Sequence, residues 1–560
     1  MSNRNHNDVE LAADAPATTP SYRPTPLEKQ APCQAGCANC GDIRAWIGTV
    51  AQRKKAGISR EVAYARAWCR IAEVNPFPAT LGRICPHPCE SRCNRGELDE
   101  PLAISQLERF LGDHAITAGL PLPRIEQRGG LPSIGVIGAG PSGLSFAYQM
   151  ARRGYPVAVY DARKKAGGML RYGVPDYRLP QSILDAEVGK IVDLGVELHL
   201  DTRVGRDVEL AELRGRHDHL YLAIGAQAGQ NLEIPGANGP SVWNAIDYLE
   251  RMNRGQALDL GSRVVVIGGG NSAMDAARCA RRQGSEVTVL YRRRLHEMPA
   301  IKWEVEEAVE EGVQLMLLVA PVKFEREADG RLVGLEIRHM QPGSPDSTGR
   351  SKPEPVIGSE FCLPVDAVIT AIAQRPVLDG LDGLDGLQSA GGWLVRDDHG
   401  TAGIGMLAGG DVCGPGIAGD AIIQGRHTAE HLHARLNGQA ERADPSPAAT
   451  PITAQSVRLA TRKSGQAVHA HKLSGQERVA RGMADTSATI SEEEFLHEVE
   501  RCFSCGACLG CGQCNMYCTS DCFIAVDDPR PGHYFTLNLD ECRECGKCIE
   551  VCPSGYLEEM

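Results

Sequence analysis

The sequence predicts an α/β fold built around two doubly wound domains, because one pattern of strand, glycine loop, helix and strand occurs twice. The first copy spans residues 134–161 and the second begins at Arg263. Each copy turns from a β-branched run into a GxG loop and then into an amphipathic helix, which is typical of parallel β–α–β units. Cysteines gathered at both ends of the chain predict a helical domain before this pair and a small α+β domain after it.

Each glycine of the first loop has its own task in the Rossmann-like unit that this pattern predicts. Gly138 makes the tight turn, Gly140 lets the backbone approach a pyrophosphate, and Gly143 lets the helix pack on the strand. The N-terminus of the helix favours the negative phosphates. Asp161 ends the second strand, where a carboxylate accepts the ribose hydroxyls. The sequence therefore predicts a dinucleotide site here.

The second loop predicts a nicotinamide dinucleotide site that prefers NADP(H). Its small residues are Gly268, Gly270 and Ala273. At the position that matches Asp161 the second unit has Tyr291, and the next residues are Arg292, Arg293 and Arg294. Guanidinium groups suit a 2′-phosphate, and no carboxylate is there to hold a free 2′-hydroxyl. The alternative is that these arginines only line a surface turn, in which case NAD(H) would serve.

Composition and charge exclude several classes of protein. The chain has 560 residues, 21 cysteines and a net charge of −12, which indicates several domains with ample core. Residues 491–560 carry most of the negative charge, which argues against nucleic-acid binding and fits an electron-carrier module. No apolar run is long enough to span a membrane, and the polar start does not resemble a signal peptide. We therefore expect a cytoplasmic protein whose cysteines bind metal rather than form disulfides.

The last block of the chain has the cysteine spacing of bacterial two-cluster ferredoxins. The run C-x2-C-x2-C-x3-C occurs at residues 508–518 and again at 542–552, where proline follows. In that pattern the fourth cysteine of each run ligates the other cluster. The predicted [4Fe–4S] ligands are Cys508, Cys511, Cys514 and Cys552 for one cluster, and Cys542, Cys545, Cys548 and Cys518 for the other. Structural zinc is the alternative, but it favours two CxxC pairs; Thr519 replaces the usual proline of the first run.

Several phrases of the sequence resemble the small subunit of glutamate synthase and its relatives. The phrases are GRICPHPCESRC, IGAGPSGL, GGMLRYGVPDYRLP, VVVIGGGNSAMD and AGGD. The electron-input half of dihydropyrimidine dehydrogenase and the large subunit of NADH-dependent ferredoxin:NADP oxidoreductase are similar. The resemblance covers roughly residues 33–437. It implies an N-terminal iron–sulfur domain, an FAD domain and an NADPH domain.

The resemblance also implies roles for individual residues. The expected FAD contacts are Gly138, Gly140, Gly143, Asp161, Gly168 and Asp411. A helix starting near Ala421 should point its positive end at the flavin. The expected ligands of an N-terminal cluster are Cys37, Cys85, Cys89 and Glu108, although a glutamate in QLERF would otherwise be read as an exposed helix acid. Three isolated cysteines, Cys69, Cys279 and Cys362, are expected to be small core residues.

A fourth cluster is predicted from an incomplete motif at each end of the chain. In the related proteins the first motif opens with RCxxCG, whereas here only Cys33 and Cys37 match its later positions. The missing phrase occurs at residues 501–506. The ligand set that the resemblance implies is Cys33, Cys93, Cys502 and Cys505. The alternative is that Cys502 and Cys505 are spare thiols, with Cys33, Cys40 and Cys93 as a vestige or a three-cysteine site.

These observations together predict the domains and the function. The predicted segments are a disordered tail (1–21), a helical iron–sulfur domain (22–125), an FAD domain (131–240 and 377–437), an NAD(P)H domain (241–376), a linker (438–490) and a two-cluster ferredoxin-like domain (491–560). We expect an oxidoreductase that passes hydride between NAD(P)H and FAD and then single electrons through [4Fe–4S] clusters, with no catalytic residue beyond the flavin. The expected acceptor is a ferredoxin, or a catalytic subunit of glutamate synthase, 2-oxoacid oxidoreductase or sulfite reductase type. The alternatives are a true glutamate synthase small subunit and a non-catalytic redox sensor or scaffold.

Overall fold

The structure of the protein is a computed structural model. It describes residues 22–125, 129–256, 258–346, 349–379, 381, 387–439 and 450–559. The predicted tail at residues 1–21 lies outside the described residues, and so does part of the predicted linker. Within the described parts of the chain, none of the helices combines the length and the apolar character needed to cross a membrane.

Six helices form the N-terminal domain. Its elements are β1 (Pro24–Pro26), α1 (Pro32–Gly36), α2 (Ile43–Ala51), α3 (Arg60–Ala72), α4 (Pro78–Ile84), α5 (Pro88–Ser91) and α6 (Ile104–Thr117). Helices α4 and α6 cross in backbone contact. A Cβ at Gly82 would lie 2.5 Å from Arg109 N, and one at Gly112 would lie 2.3 Å from Ala79 N. Glycine at these two positions is therefore what lets the helices meet.

The first Rossmann-like unit follows, and two short strands then lead toward the second. The elements are β2 (Ile134–Ile137), α7 (Pro141–Ala151), β3 (Val157–Tyr160), α8 (Met169–Tyr172), α9 (Gln181–Val192), β4 (Glu197–His199), α10 (Leu210–Arg216), β5 (His219–Leu222), β6 (Ala228–Gly229) and β7 (Val242–Asn244). All four residues of β2 and all four of β3 are buried. This burial on both faces is what a parallel sheet covered by helices requires.

The second unit has a five-stranded parallel sheet and an antiparallel sheet beside it. Its elements are α11 (Ala245–Asn253), β8 (Arg263–Ile267), α12 (Asn271–Arg282), β9 (Glu286–Tyr291), α13 (Lys302–Glu310), β10 (Gln314–Leu317), β11 (Val319–Arg326), β12 (Leu332–Pro345), β13 (Ser351–Pro355), β14 (Phe361–Pro364) and β15 (Ala367–Thr370). The parallel sheet has the order β10-β9-β8-β15-β7. In the antiparallel sheet β12 pairs with β11, β13 and β14.

The chain then returns to the first unit. The elements are β16 (Gln374–Arg375), β17 (Ser389–Ala390), β18 (Trp393–Leu394), β19 (Thr401–Gly403), β20 (Met406–Ala408) and α14 (Ala418–Leu436). Strand β16 pairs antiparallel with β6, so the outgoing and returning segments lie side by side. The six-stranded sheet of the first unit has the order β19-β20-β5-β2-β3-β4. The predicted α/β fold with two Rossmann-like domains is confirmed.

The C-terminal part packs on the N-terminal domain. Its elements are β21 (His471–Lys472), α15 (Gly475–Ala480), β22 (Ser487–Ala488), α16 (Glu492–Glu500), α17 (Gln513–Tyr517), β23 (Phe523–Arg530), β24 (His533–Leu537), α18 (Lys547–Val551) and β25 (Leu557–Glu559). Strand β1 pairs antiparallel with β25. Phe495 and Val499 of α16 are fully buried in the same apolar cluster as residues of α2, α3 and α6. Both ends of the chain therefore share one core.

Residues 467–490, here called the strap, lie in the stretch predicted as a linker and touch three domains. Arg478 pairs with Glu310 of α13, in the second Rossmann-like unit, at 2.5 Å. Thr486 Oγ1 donates to the backbone oxygen of Tyr177 at 3.3 Å. Arg109 of α6 donates to Ser487 Oγ at 2.6 Å. The strap thus ties the N-terminal domain to both Rossmann-like units.

Candidate functional sites

The first glycine loop forms the floor of a cleft of about 230 Å³ at the carboxyl ends of β2 and β3. Two of its glycines serve the packing of the loop itself. Gly138 has φ +110°, and a Cβ there would lie 2.3 Å from the Ala223 oxygen. A Cβ at Gly143 would lie 1.9 Å from the Gly138 oxygen. These positions let the turn and the helix form as the sequence predicts.

Gly140 has no such packing role. Its φ is −83°, which any residue adopts, and a Cβ would meet only Gly168 Cα, at 3.8 Å. Both glycines line the cleft. A side chain at Gly140 would instead fill the space in front of the N-terminus of α7, where a pyrophosphate binds. The cradle therefore fits the FAD that the sequence predicts.

Asp161 lines the same cleft, next to the glycine loop. Its carboxylate accepts hydrogen bonds from Ala139 N at 2.6 Å and Arg163 N at 2.7 Å. Burial raises the pKa of this carboxyl, and the two N–H donors act against that rise. The side chain is thus held toward the loop, in the place where a ribose hydroxyl would reach it.

A second cleft of about 210 Å³ lies where three domains meet. The N-terminal domain contributes Cys85, the first unit contributes Met169, and the second unit contributes Asn271. Asp411 and Ala421 line both clefts. Helix α14 begins at Ala418 rather than near Ala421, and its first turn, with the positive end of the helix, lines this meeting point.

In the second glycine loop, as in the first, some small residues allow the turn and the packing, and one glycine keeps the helix N-terminus open. A Cβ at Gly268 would lie 2.3 Å from the Ala371 oxygen, so this glycine is needed for the turn. Ala273 is fully buried against the sheet. Gly270 has φ −93°, and a Cβ there would meet nothing within 4 Å. Its missing side chain keeps open the N-terminus of α12, which fits a second dinucleotide.

The three arginines after β9 do not share one environment. Arg293 is buried, donates to the Ser351 oxygen at 2.8 Å and pairs with Asp346 at 2.9 Å. It therefore anchors β13 next to β9. Arg292 and Arg294 are exposed. Of the three arginines that the sequence offers to a 2′-phosphate, the structure leaves Arg292 and Arg294 facing solvent and engages Arg293 within the protein.

The predicted ligands of the N-terminal cluster line one cavity. Cys37, Cys85, Cys89 and Glu108 surround it. The crossing of α4 and α6 brings Cys85, at the end of α4, to the same cavity as Glu108. Burial raises the pKa of the Glu108 carboxyl to about 7, and Asn75 Nδ2 donates to it at 2.9 Å. Glu108 is therefore not an exposed helix acid.

The four cysteines predicted from the incomplete motifs line another cavity. It is surrounded by Cys33, Cys93, Cys502 and Cys505. We call this set the junction site. Cys33 lies in α1 and Cys93 just after α5, and Gly36 lets these helices approach, because a Cβ there would be 3.1 Å from Cys89 Cα. Burial raises the pKa of Cys502 to about 11 and of Cys505 to about 12, with the neighbouring cysteines adding to the rise for Cys505.

Arginines that the sequence did not single out surround the junction site. Arg44 donates to the Cys505 oxygen at 2.8 Å, and Arg95 donates to the Arg501 oxygen. The guanidinium carbons of Arg95 and Arg462 lie over the ring of Phe503, 4.9 and 5.0 Å from its centroid. Of these arginines, only Arg501 belongs to a motif that was recognised in the sequence, the RCxxCG phrase. These cations would stabilise the negative charge of a thiolate-ligated cluster.

The ferredoxin-like block brings one of its two predicted ligand sets to a single cavity. Cys508, Cys511, Cys514 and Cys552 line one cavity, here the proximal site. The other set, Cys518, Cys542, Cys545 and Cys548, is here the distal site; Cys548 is buried and Cys545 is exposed. Among the residues that the structure describes, no group of His, Cys, Asp or Glu side chains could hold a single metal ion. Cavities lined by three or four cysteines suit multi-iron clusters instead.

Two isolated cysteines differ from expectation. Cys279 is fully buried, as predicted, but Cys69 and Cys362 are exposed. Cys362 lies on β14, where side chains alternate between the two faces of the sheet, and Cys69 lies on α3. Apolar neighbours in the sequence do not show which face of a strand or helix a cysteine occupies, so they did not predict this exposure.

Comparison with known proteins identifies the family to which the chain is similar. The description "Pyridine nucleotide-disulphide oxidoreductase" matches residues 132–432, and "Dihydropyrimidine dehydrogenase domain II, 4Fe-4S cluster" matches residues 19–120. NADPH-Fe(3+) oxidoreductase subunit beta of Geobacter sulfurreducens is 32% identical, covering 85% of this chain and 75% of that protein. NADP(+)-dependent formate dehydrogenase subunit beta of Moorella thermoacetica is 37% identical, covering 75% and 61%. The small chain of glutamate synthase [NADPH] of Azospirillum brasilense is 34% identical, covering 73% and 87%.

These matches agree with the two glycine cradles and with the cysteine-lined cavities of the N-terminal domain. The match to the first description includes both glycine loops and most of α14. The match to the second includes Cys37, Cys85, Cys89 and Glu108. The chain belongs to the pyridine nucleotide-disulphide oxidoreductase family and is an FAD- and NADP(H)-dependent oxidoreductase with an iron–sulfur domain at its N-terminal side.

Proposed function

We propose that the protein carries electrons between NADPH and a protein acceptor through FAD and four [4Fe–4S] clusters. The observation that carries this proposal is the cleft where three domains meet. Cys85 of the N-terminal cluster set, the start of α14 and the start of α12, which follows the second glycine loop, all line it. When bound, FAD takes hydride from NADPH and passes electrons singly to iron–sulfur clusters.

The order of the predicted ligands along the chain supports an order for the clusters. Cys33 and Cys37 belong to different sets but lie four positions apart, and Cys89 and Cys93 repeat this spacing. Cys505 of the junction site and Cys508 of the proximal site lie three positions apart. The two ferredoxin runs interleave the proximal and distal sets in the same way. Neighbouring sites therefore share short stretches of backbone, which supports one continuous path from the flavin to the distal site.

The distal site supports an exit for electrons at the C-terminal domain. Cys545 is exposed there, and so are Met516, Tyr517 and Ile524 of the same domain. The surrounding block is acidic. We propose a ferredoxin or a catalytic subunit as partner, because the relatives above are named as subunits or chains of larger enzymes. Unpaired cysteines throughout the described residues favour the cytoplasm as the compartment.

A glutamate synthase small subunit remains a second candidate. The match that spans most of the Azospirillum brasilense small chain favours it. The ferredoxin-like block counts against it, because that block is joined to the N-terminal core through α16 and offers its own exit. Two complete glycine cradles count against a non-catalytic scaffold.

The test uses Gly270, whose Cβ would point into open space. In Gly270→Val we expect full FAD and iron content but no reduction of the flavin by NADPH, since the side chain blocks the phosphates. Dithionite should still reduce both groups. The measurement is anaerobic stopped-flow absorbance at the flavin band, with the iron–sulfur EPR signal recorded afterwards.

Gly189→Val is the matched control. Gly189 lies on α9, outside both glycine loops, and a Cβ there also meets nothing within 4 Å. This variant should be reduced by NADPH as fast as the parent protein. Normal NADPH reduction in Gly270→Val would contradict the proposed nicotinamide site.

A further inference from the structure

A segment of the first Rossmann-like unit inserts two side chains into the second unit. Tyr177 and Arg178 lie between α8 and α9. Tyr177 is 1% exposed and belongs to the apolar cluster that helices α11, α12 and α13 form with the parallel sheet of the second unit. Its backbone oxygen accepts the hydrogen bond from Thr486 of the strap. The segment is therefore held by the second unit and by the strap.

Arg178 bonds to two carboxylates of the second unit. Its Nη1 atom donates to both oxygens of Asp275 in α12, at 2.9 and 2.8 Å, and its Nη2 atom lies 2.8 Å from Glu304 in α13. All three side chains are buried, with at most 8% exposed. Because a guanidinium presents its donors in a rigid planar fork, these contacts fix an orientation as well as a distance.

The same carboxylates belong to a larger network of buried charges. Arg278 of α12 pairs with Glu304 and with Glu311, in both cases at 2.7 Å. Arg478 of the strap pairs with Glu311 at 3.2 Å. The network thus holds the helices α12 and α13 from the strap through Arg478 and from the first unit through Arg178.

Arg178 and Asp275 also line the cleft where the three domains meet. Met169, nine positions before Arg178, lines both this cleft and the flavin cleft. Asn271 lines the same meeting point from the start of α12, about one turn before Asp275. A short link therefore runs from the flavin cleft through Arg178 and Asp275 to the helix start that faces the nicotinamide dinucleotide.

We propose that Arg178 is a positioning residue, which sets the nicotinamide site at its distance from the flavin by fixing α12. This role rests on the proposed function, in which hydride passes with its two electrons from NADPH, which is oxidised, to FAD, which is reduced. Arg178 itself gains and loses nothing in that step. A buried ion pair often stabilises a fold no better than apolar packing does, so fixing the register of two units is the role that accounts for charges at this place.

The test makes one substitution at two places in the network, in the full chain isolated without oxygen. Arg178→Lys keeps the charge but loses the planar fork. At saturating NADPH we expect flavin reduction to slow by about 10- to 100-fold, because a misplacement of about 1 Å is enough for such a loss. The affinity for NADP+, measured by calorimetry, should stay that of the parent, because the phosphates bind at the start of α12. A loss of rate without a loss of affinity is what separates positioning from binding.

Arg478→Lys is the matched control, because Arg478 lies in the same network and forms its ion pairs with Glu310 and Glu311 of the second unit. Its flavin should be reduced at the parent rate. A second variant, Arg178→Gln with Asp275→Asn, removes one charge of each sign and so leaves the network balanced. It should contain full FAD and iron and be reduced as slowly as Arg178→Lys.

The outcomes separate this role from the proposed function. A parent rate in either Arg178 variant would overturn the positioning role and leave the proposed function intact. Equal slowing in Arg178→Lys and Arg478→Lys would also overturn it, since the network would then act only through stability. Lost NADP+ affinity in Arg178→Lys would overturn it too, because Arg178 would then act in binding. If the parent protein itself is not reduced by NADPH, the proposed function fails together with this role.

Discussion

Neighbouring arginines after β9 have different tasks, although the sequence treats them alike. Arg292 is exposed beside the nicotinamide loop, and Arg293 is tied to Asp346 and Ser351. We expect Arg292→Leu to lower kcat/KM for NADPH by about 10- to 100-fold, because a hydrogen bond to a charged group contributes about 1.5–3 kcal/mol. The value for NADH should not change. Steady-state rates with both cofactors measure this.

Arg293→Leu is the matched control at the residue scale. It removes the pair with Asp346 and should lower the thermal stability of the second unit, since Asp346 loses its buried partner. The ratio of NADPH to NADH rates should stay that of the parent. The opposite result, a changed ratio in Arg293→Leu and an unchanged ratio in Arg292→Leu, would show that the assignment of Arg292 is wrong. Arg293 would then have to leave Asp346 when the cofactor binds.

At the scale of the element, α4 depends on a carboxylate from another domain. Glu187 of α9 is fully buried and accepts hydrogen bonds from Ala79 N at 2.7 Å and Thr80 N at 3.0 Å, at the start of α4. Burial raises its pKa to about 8, despite these donors. The helix it caps ends at Cys85, so this contact helps position the N-terminal cluster set next to the flavin domain.

The raised pKa of Glu187 predicts a pH dependence of stability. Between about pH 4.5, where an unfolded glutamate titrates, and pH 8, the folded protein holds a proton that the unfolded chain releases. The free energy of unfolding should therefore fall as pH rises, by up to about 1.4 kcal/mol per pH unit. Glu187→Gln cannot titrate and should flatten this slope, as measured by urea unfolding at a series of pH values. The exposed Glu197→Gln should keep the slope, and an equal slope in Glu187→Gln would contradict the prediction.

At the scale of the whole molecule, the junction site joins the two ends of the chain. We expect Cys502→Ser with Cys505→Ser to lose about one quarter of the iron and the matching EPR signal. FAD should stay, because the flavin cleft is formed by other segments. Electrons from NADPH should then reach the proximal and distal clusters more slowly, because the site between them and the N-terminal cluster is gone.

Two exposed thiols provide the control for this double variant. Cys69→Ser with Cys362→Ser should keep all the iron. Unchanged iron in the Cys502 and Cys505 variant would mean that these are spare thiols.

Both Rossmann-like units, the ferredoxin spacing and the family resemblance could be predicted from the sequence, and the family and fold are confirmed. The site residues and the domain bounds stay predictions, although the N-terminal, junction and proximal sets each line one cavity. The separate fates of Arg292 and Arg293 could not be predicted, because Asp346 and Ser351 come from a distant hairpin.

By itself the sequence determined the local motifs, which depend on short stretches of neighbouring residues. A glycine loop between a strand and a helix, or four cysteines at fixed spacing, depends on the backbone of about ten neighbouring residues. Only the tertiary structure decided which residues meet across long separations, such as Cys33 with Cys505, Glu187 with the start of α4, and the strap with three domains. These contacts depend on how whole elements pack, and packing is set by the shape and burial of many side chains together.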